Sequence, residues 1–144
     1  MDSKISIWNV LHDGAITAIE CKSDGILTMF VNIPYLRKRL KPLGDSFILK
    51  LRGIKKSEFE DFDGKKNSLQ EEIDSNNEIE ILSSDSNSMP VIINTTMGKI
   101  ILDFENISFF LDSGEEIEFD TISKVCDDYW TEWENNSKKM GESK

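Results

Sequence analysis

Short apolar runs separated by glycine-containing turns are the feature that most constrains what this chain can fold into. Ser23-Asp24-Gly25 separates two such runs, 15–21 and 26–33. Asp-Gly is a strong hairpin signal because Gly accepts a positive φ at little cost. Asp112-Ser113-Gly114 is a second turn of this kind. The sequence therefore predicts short antiparallel strands joined by tight turns.

Alternation of apolar and polar residues predicts the remaining strands. In the run 46–52, Phe47, Leu49 and Leu51 share one face. Residues 35–41, after Pro34, are either a short helical turn or a basic loop. The other predicted strands are 54–62 with Phe59 and Phe62 inward, 78–82 at a sheet edge, and 91–96, 99–104, 107–111 and 115–119 as a largely antiparallel meander. The polar run 83–88 is predicted to be a loop, and no internal repeat is apparent.

A helical stripe follows the last strand. Asp120 and Thr121 are good N-cap residues. Apolar residues then recur at helical spacing, namely Ile122, Val125, Cys126, Tyr129, Trp130 and Trp133. The spacing predicts a helix over 121–135, followed by a disordered tail over 136–144. A shorter helix is possible at 68–74, where Ser68 precedes Glu71 as in a capping box.

These elements predict the fold class. A strand-rich chain with one amphipathic helix favours an α+β fold, a mostly antiparallel sheet of about six to eight strands with the C-terminal helix packed on it. The 144 residues are enough for a single domain, over 1–135, that folds without disulfides or metals.

The cysteines and the N-terminus indicate a compartment. Cys21 and Cys126 both lie in apolar patterns, so both are predicted to be buried free thiols. No charged segment followed by an apolar core begins the chain, and no apolar run approaches about 18 residues. A cytoplasmic protein without signal peptide or membrane span is therefore expected.

Charge is unevenly distributed along the chain. The formal net charge is -10 at pH 7. The segment 1–57 carries +5, 58–102 carries -7 and 103–144 carries -8. A strongly negative field repels phosphate backbones, so it argues against nucleic acid as a partner. It favours a basic protein partner, although solubility alone is an alternative reason for such a charge.

The acidic runs and one tryptophan are the candidate partner-binding residues. The acidic runs have interleaved apolar residues, and Trp133 is the last member of the helical stripe. The candidates are Glu58, Glu60, Asp61, Asp63, Glu115, Glu116, Glu118 and Trp133. The alternatives are strand faces that point to water and, for the tryptophan, core packing.

No catalytic motif is apparent. His12 is the one histidine and precedes Asp13, but a histidine-based metal site needs several histidines. The chain has no Gly-rich phosphate loop and no Cys-x-x-Cys, and Asp61-Phe62-Asp63-Gly64 lacks the closing Glu of a calcium loop. The sequence therefore predicts no catalytic, cofactor or metal residues, and a protein that is not an enzyme.

A less favoured hypothesis brings His12 and the basic segment Arg37–Lys41 into one pocket. The alternative for that segment is pairing with the chain's own carboxylates.

Three segments resemble a family. Leu11 to Ile16, which contains His12-Asp13, resembles the opening strand of small bacterial immunity-like proteins. The Leu111–Gly114 turn and the Tyr129-Trp130-x-x-Trp133 helix are similar to an uncharacterised bacterial family of the same size. The resemblance touches about half of the chain through structural motifs. It implies a cytoplasmic, β-rich protein that neutralises a toxin by binding it, and it implies no catalytic residue.

The function expected from all of this is non-catalytic protein binding. The specific hypothesis is a bacterial immunity protein, or inhibitor, that neutralises a basic toxin or effector directly. The alternatives are a structural or assembly subunit without a ligand, and a small-molecule-binding or enzymatic domain that uses His12 and the Arg37–Lys41 segment.

Overall fold

A computed structural model describes residues 3–21, 24–76 and 78–142. This part of the chain forms four helices and ten strands. They are α1 (Ser3–Val10), β1 (Ala15–Cys21), β2 (Leu27–Asn32), α2 (Pro34–Arg37), β3 (Ser46–Arg52), β4 (Lys56–Asp61), β5 (Lys66–Ser68), α3 (Leu69–Asn76), β6 (Ile79–Ser83), β7 (Val91–Thr95), β8 (Gly98–Asp103), β9 (Asn106–Leu111), β10 (Glu116–Ile117) and α4 (Phe119–Glu142).

The strands form one open antiparallel sheet, so the fold is α+β. Their order is β10-β9-β3-β2-β1-β6-β7-β8-β4-β5, and every neighbouring pair is antiparallel. The described chain has ten strands, so the expected six to eight was too few. The two edge strands, β5 and β10, have three and two residues. β10 lies within the strand predicted at 115–119, whereas β5 shows no alternation that could be recognised in the sequence.

The sheet consists of two halves with the same topology. Half A contains β1, β2, β3, β9 and β10, and half B contains β6, β7, β8, β4 and β5. Each half is a three-strand meander extended by a hairpin. The meander β1–β3 is extended by β9 and β10, and the meander β6–β8 is extended by β4 and β5. The halves meet where β1 pairs with β6, through Ile16 opposite Ile79 and Ala15 opposite Glu80.

Strand register is repeated between the halves. Phe109 of β9 pairs with Leu49 of β3 in half A, and Phe59 of β4 pairs with Ile100 of β8 in half B. The register shifts between Ile16 and Ala18 in β1 and, at the corresponding place in β6, between Ile81 and Ser83. The structure therefore contains an internal repeat, with exchanged hairpins, that the sequence analysis did not recognise.

The hairpin turns are equivalent as well. Gly64 donates to the carbonyl of Asp61, and Gly114 donates to the carbonyl of Leu111. Both glycines have positive φ, 84° and 100°, which glycine adopts without the steric cost that a Cβ atom adds.

The sheet curls around the helices. α1 contacts both β6 and β9, although β1, β2 and β3 lie between those strands. α3 contacts both β1 and β4, between which β6, β7 and β8 lie. One helix therefore fills the concave side of each half. The core between them is made of inward side chains such as Trp8, Phe47, Phe59, Leu69 and Ile100.

Several sequence predictions are confirmed. The hairpin of 15–21 and 26–33 corresponds to β1 and β2, and Ser23 lies outside the described residues. Residues 35–41 begin with a helical turn, and the short helix predicted at 68–74 is α3, where Ser68 Oγ accepts from Glu71 N at 3.2 Å. Phe47, Leu49 and Leu51 are all fully buried.

Other predictions are wrong. α1 was not predicted, because its apolar residues share no clear stripe. β6 lies in the centre of the sheet and not at an edge, since β1 and β7 flank it. β8 and β9 are not neighbours, so the predicted meander is broken after β8. The position of β6 and the separation of β8 from β9 both depend on pairing between strands that are distant in sequence. Local sequence patterns do not predict such pairing.

Two burial predictions also fail. Phe62 was expected to face inward with Phe59, but it lies in the β4–β5 turn and is 78% exposed. Cys21, the last residue of β1, is exposed, whereas Cys126 is buried as predicted. Alternation cannot place a residue beyond the point where a strand ends.

The C-terminal helix α4 packs against α1 and α2. Its stripe enters the core through Ile122 and Cys126, and Phe119 contacts the ring of Phe109 at a centroid distance of 5.9 Å. α4 includes the predicted range 121–135 and continues to Glu142, into the segment for which a disordered tail was predicted. Among the helices described, none is both long and apolar enough to cross a membrane.

Candidate binding site

The turn that follows α1 places His12 at the surface. Asp13 adopts φ 71°, a conformation that Asp tolerates better than most residues, and its backbone N–H bonds to the carbonyl of Ile81 at 2.8 Å. A Cβ atom on Gly14 would meet the Leu11 carbonyl oxygen at 2.9 Å, so the close approach requires glycine. His12 Nδ1 lies 2.7 Å from the carbonyl oxygen of Asn9, which fixes the ring.

Five rings from three elements then meet, and we refer to them as the aromatic cluster. Its members are His12, Tyr35, Tyr129, Trp130 and Trp133. His12 stacks on Trp130 with a centroid distance of 5.1 Å and an interplanar angle of 23°. Tyr35 lies 4.5 Å from Tyr129, and Trp130 lies 5.8 Å from Trp133 in an edge-to-face contact.

Burial decreases across the aromatic cluster. Tyr35 donates its hydroxyl hydrogen to the His12 carbonyl at 3.1 Å. Burial, followed by the charge of Asp13, raises the pKa of Tyr35, so the phenol stays neutral and available as a donor. At the other end Trp133 is 53% exposed. The predicted alternative of core packing for Trp133 is therefore wrong, and this tryptophan presents an apolar surface to solvent.

A cation borders the aromatic cluster. The guanidinium carbon of Arg39 lies 5.2 Å from the Tyr129 ring centroid, and Arg39 Nη2 forms an ion pair with Glu132. The hydrogen bond between them raises the pKa of Arg39 and lowers that of Glu132. Arg39 thus pairs with one of the chain's own carboxylates, as one of the two interpretations of the basic segment predicted.

Arg37 is a structural residue. Its side chain is fully buried, and its Nη2 lies 2.8 Å from Asp112 Oδ1. It also donates to the carbonyl oxygens of Ser46 and Leu40. Burial opposes ionisation of Asp112, but hydrogen bonds from the Asp45 N–H, from Arg37 and from the Ser46 N–H hold the pKa of that carboxyl below its ordinary value. Arg37 is therefore not available to a pocket shared with His12.

A groove of about 650 Å³ lies beside the aromatic cluster. α1 and α4 form its two sides, and the loop 84–87 closes it. The groove is lined by Ile5, Ser6, Asn9, Val10, Ser84, Asp85, Ser86, Asn87, Phe119, Ser123, Cys126 and Asp127. Cys126 Sγ contacts the Val10 carbonyl at 3.6 Å and joins the two helices. Burial raises the pKa of Cys126, so the thiol is neutral.

The predicted acidic residues do not form one surface. Glu58, Glu60, Asp61 and Asp63 belong to β4 and its turn in half B, whereas Glu115, Glu116 and Glu118 surround β10 in half A. The order of the sheet puts these two sets at its opposite ends. Of the predicted residues, only Trp133 belongs to the aromatic cluster.

Neither the aromatic cluster as a unit nor the groove was predicted. The helical stripe identified Tyr129, Trp130 and Trp133, but no local signal links them to His12 or Tyr35. Asn9 and the loop 84–87 lie far apart in sequence. Within 3–21, 24–76 and 78–142, no three His, Cys, Asp or Glu residues come together as a metal site would require. Comparisons of the chain with protein-family models, curated proteins and solved structures give no match.

Proposed function

We propose that this protein binds another protein without turnover, and that its specific role is that of an immunity protein that neutralises a basic toxin or effector. The observation that carries the proposal is the exposed Trp133, held at the margin of the aromatic cluster. The binding surface runs along α4 and includes the cluster.

The chemistry of this surface favours an interface. Trp, Tyr and Arg are the residues that most often contribute strongly to protein–protein binding. Trp133, Tyr129 and Arg39 lie together here, and each contacts another ring or a charged group. Because these contacts already restrict the three side chains, they would lose little conformational entropy when a partner binds.

Charge favours a basic partner. The formal net charge is -10, and α4 exposes Asp127, Asp128 and Glu134. Such a field accelerates the encounter with a positively charged protein and slows the encounter with an acidic one. From Phe119 to Trp133, α4 spans about 21 Å at 1.5 Å per residue, which is long enough for the centre of a standard-sized interface.

Co-purification tests the proposal. The tagged full-length chain and its Trp133→Ala variant would be recovered from the native cell at moderate salt, and co-eluting proteins would be quantified by mass spectrometry. We expect a basic protein in near-equal amount with the wild type and at least about tenfold less with the variant, because hot-spot residues contribute that much to affinity.

Phe62→Ala is the matched control, because Phe62 is 78% exposed and lies at the far end of the sheet. It should retain the partner fully. Equal recovery with Trp133→Ala would contradict the proposed surface. Recovery of stoichiometric assembly subunits in place of a basic protein would favour the structural alternative.

A further inference from the structure

We infer that the groove between α1, α4 and the loop 84–87 holds a lysine- or arginine-bearing segment of the protein partner. This inference rests on the proposed function and adds the chemistry that the partner must present. It concerns a part of the surface that is distinct from Trp133, so the two can be tested separately.

The groove has the size and form of a binding site. Its volume, about 650 Å³, is in the range of pockets that take several side chains. α1 contributes Ile5, Ser6, Asn9 and Val10 from one face, and α4 contributes residues at helical spacing from Phe119 onward. Two helix faces therefore run along the groove, and an extended segment can lie between them.

The third wall is fixed before any ligand arrives. Asn9 Nδ2 donates to the Ser84 carbonyl at 2.7 Å, and Ser84 N donates back to Asn9 Oδ1 at 2.9 Å. Ser84 Oγ donates to the Ile92 carbonyl, and Ile92 N donates to Ser86 Oγ at 2.8 Å. These bonds tie the loop to α1 and to β7, so binding requires little reorganisation of the loop.

The lining selects a cation. Among the residues that the structure describes, Asp85 and Asp127 are the only charged ones that line the groove, and both are exposed. No ion pair in the described part of the chain involves either of them. Lys and Arg combine an aliphatic stem with a charged head. The stem suits the apolar side chains of Val10 and Phe119, and the head suits the two carboxylates.

Continuity with the aromatic cluster favours a protein segment over a free small molecule. The carbonyl oxygen of Asn9, whose side chain lines the groove, is bonded to His12, and His12 stacks on Trp130. Cys126 lines the groove one turn before Trp130 on α4. A partner that covers Trp133 can therefore extend a basic loop into the groove without a gap in the contact surface.

The test is an NMR titration of the full-length, ¹⁵N-labelled chain with the peptide acetyl-Gly-Lys-Arg-Gly-amide. The control peptide carries norleucine at both basic positions, which keeps the stems and removes the charges. We expect shift changes from the basic peptide in residues 5–10, 84–87 and 119–127. They should weaken as salt is raised, because exposed charges are screened.

Paired variants test the residues. Asp85→Asn with Asp127→Asn keeps the side-chain shapes and should weaken the basic peptide about tenfold. Glu71→Gln with Glu78→Gln removes the same charge from exposed positions of half B outside the groove, and should change the affinity less than about twofold.

Each contrary outcome overturns the inference. Equal binding of the norleucine peptide would make the groove an apolar site without charge selectivity, and shifts outside the groove would place the basic segment elsewhere. The partner recovered by co-purification separates the two proposals. If Trp133→Ala loses that partner and Asp85→Asn with Asp127→Asn keeps it, the binding function stands and the groove inference fails. If both variants keep it, the partner binds elsewhere, and the proposed surface fails together with the groove inference. If the wild type recovers no partner, the binding function itself fails.

Discussion

Halves A and B share one sheet topology but differ in the helices that cover them. In the described part of half B, α3 is the only helix, and it both follows β5 and precedes β6. In half A, two separate helices take these places. α1 precedes β1 as α3 precedes β6, and α4 follows β10 as α3 follows β5. α1 and α4 pack together. Most of the groove belongs to that two-helix layer, and the aromatic cluster lies on it, with Tyr35 added from α2. The repeated sheet is thus a scaffold, and the surface chemistry lies where the repeat is broken.

The two hairpin turns show the same contrast on a smaller scale. When Gly64 is aligned with Gly114, Phe62 corresponds to Asp112. Phe62 points into solvent, whereas Asp112 binds the buried Arg37. One position of the repeat is therefore exposed and unpaired in half B, and in half A it carries the partly exposed carboxylate that pairs with a buried arginine.

The largest effect should come from the core positions that the repeat makes equivalent. Phe59→Ala and Phe109→Ala should each lower the free energy of unfolding by about 3–5 kcal/mol, because each leaves a cavity in its half. Urea unfolding followed by circular dichroism measures both. Phe110→Ala, on the outer and partly exposed face of β9, is the control and should cost less. If only one of the two substitutions lowered the free energy of unfolding strongly, Phe59 and Phe109 would not contribute equally to the core.

Asp112→Ala should have the next largest effect, about 3 kcal/mol, because it leaves the Arg37 guanidinium buried without its counterion. Phe62→Ala at the equivalent position should change stability by less than about 0.5 kcal/mol. The same urea titrations compare them. Equal losses would contradict the assignment of an ion pair with a buried arginine to half A alone.

The Arg37–Asp112 pair also predicts an acid sensitivity. The folded-state pKa of Asp112 lies below its ordinary value of 3.8, so the stabilisation is complete above that value and is lost as pH falls through the folded pKa. The stability difference between the wild type and Asp112→Asn should therefore shrink below pH 3.8. Thermal unfolding from pH 6 to pH 2 measures it, and a constant difference would exclude this linkage.

The smallest effect concerns the turn glycines. Gly64→Ala and Gly114→Ala should each cost about 1 kcal/mol, because both have positive φ. A Cβ atom would meet nothing within 4 Å at either position, so the cost is conformational and should be equal in the two halves. Ser113→Ala, in the same exposed turn, is the control. Unequal costs in thermal unfolding would show that one turn is under additional strain.

Local sequence signals were sufficient for most elements. Asp24-Gly25 identified the β1–β2 hairpin, and the stripe from Ile122 to Trp133 identified α4, because both depend on residues close together in the chain. The pairing of β3 with β9 and of β8 with β4 depends on distant residues. The repeat was hidden because Lys56–Gly64 and Asn106–Gly114 have only the Phe and the final Gly in common.

The candidate site was predicted only in part. Trp133 was named as a candidate because it is the last member of the stripe, with core packing as the alternative, and the structure leaves it 53% exposed. The groove depends on Asn9 bonding to Ser84 across the fold. Asn and Ser form hydrogen bonds in many structural contexts, so the sequence does not indicate that Asn9 bonds to Ser84.

The exchange of hairpins also determines the order in which a growing chain can complete each half. Half B is encoded by the uninterrupted segment 56–103, whereas half A requires both 15–52 and 106–117. During synthesis, the strands of half B can pair as soon as β8 leaves the ribosome, while β3 waits with an open edge for β9. Half A must therefore close over long loops, which is the slower process. A chain truncated after residue 105 would keep every strand of half B and expose the edge of β3, and unpaired edges of this kind promote aggregation.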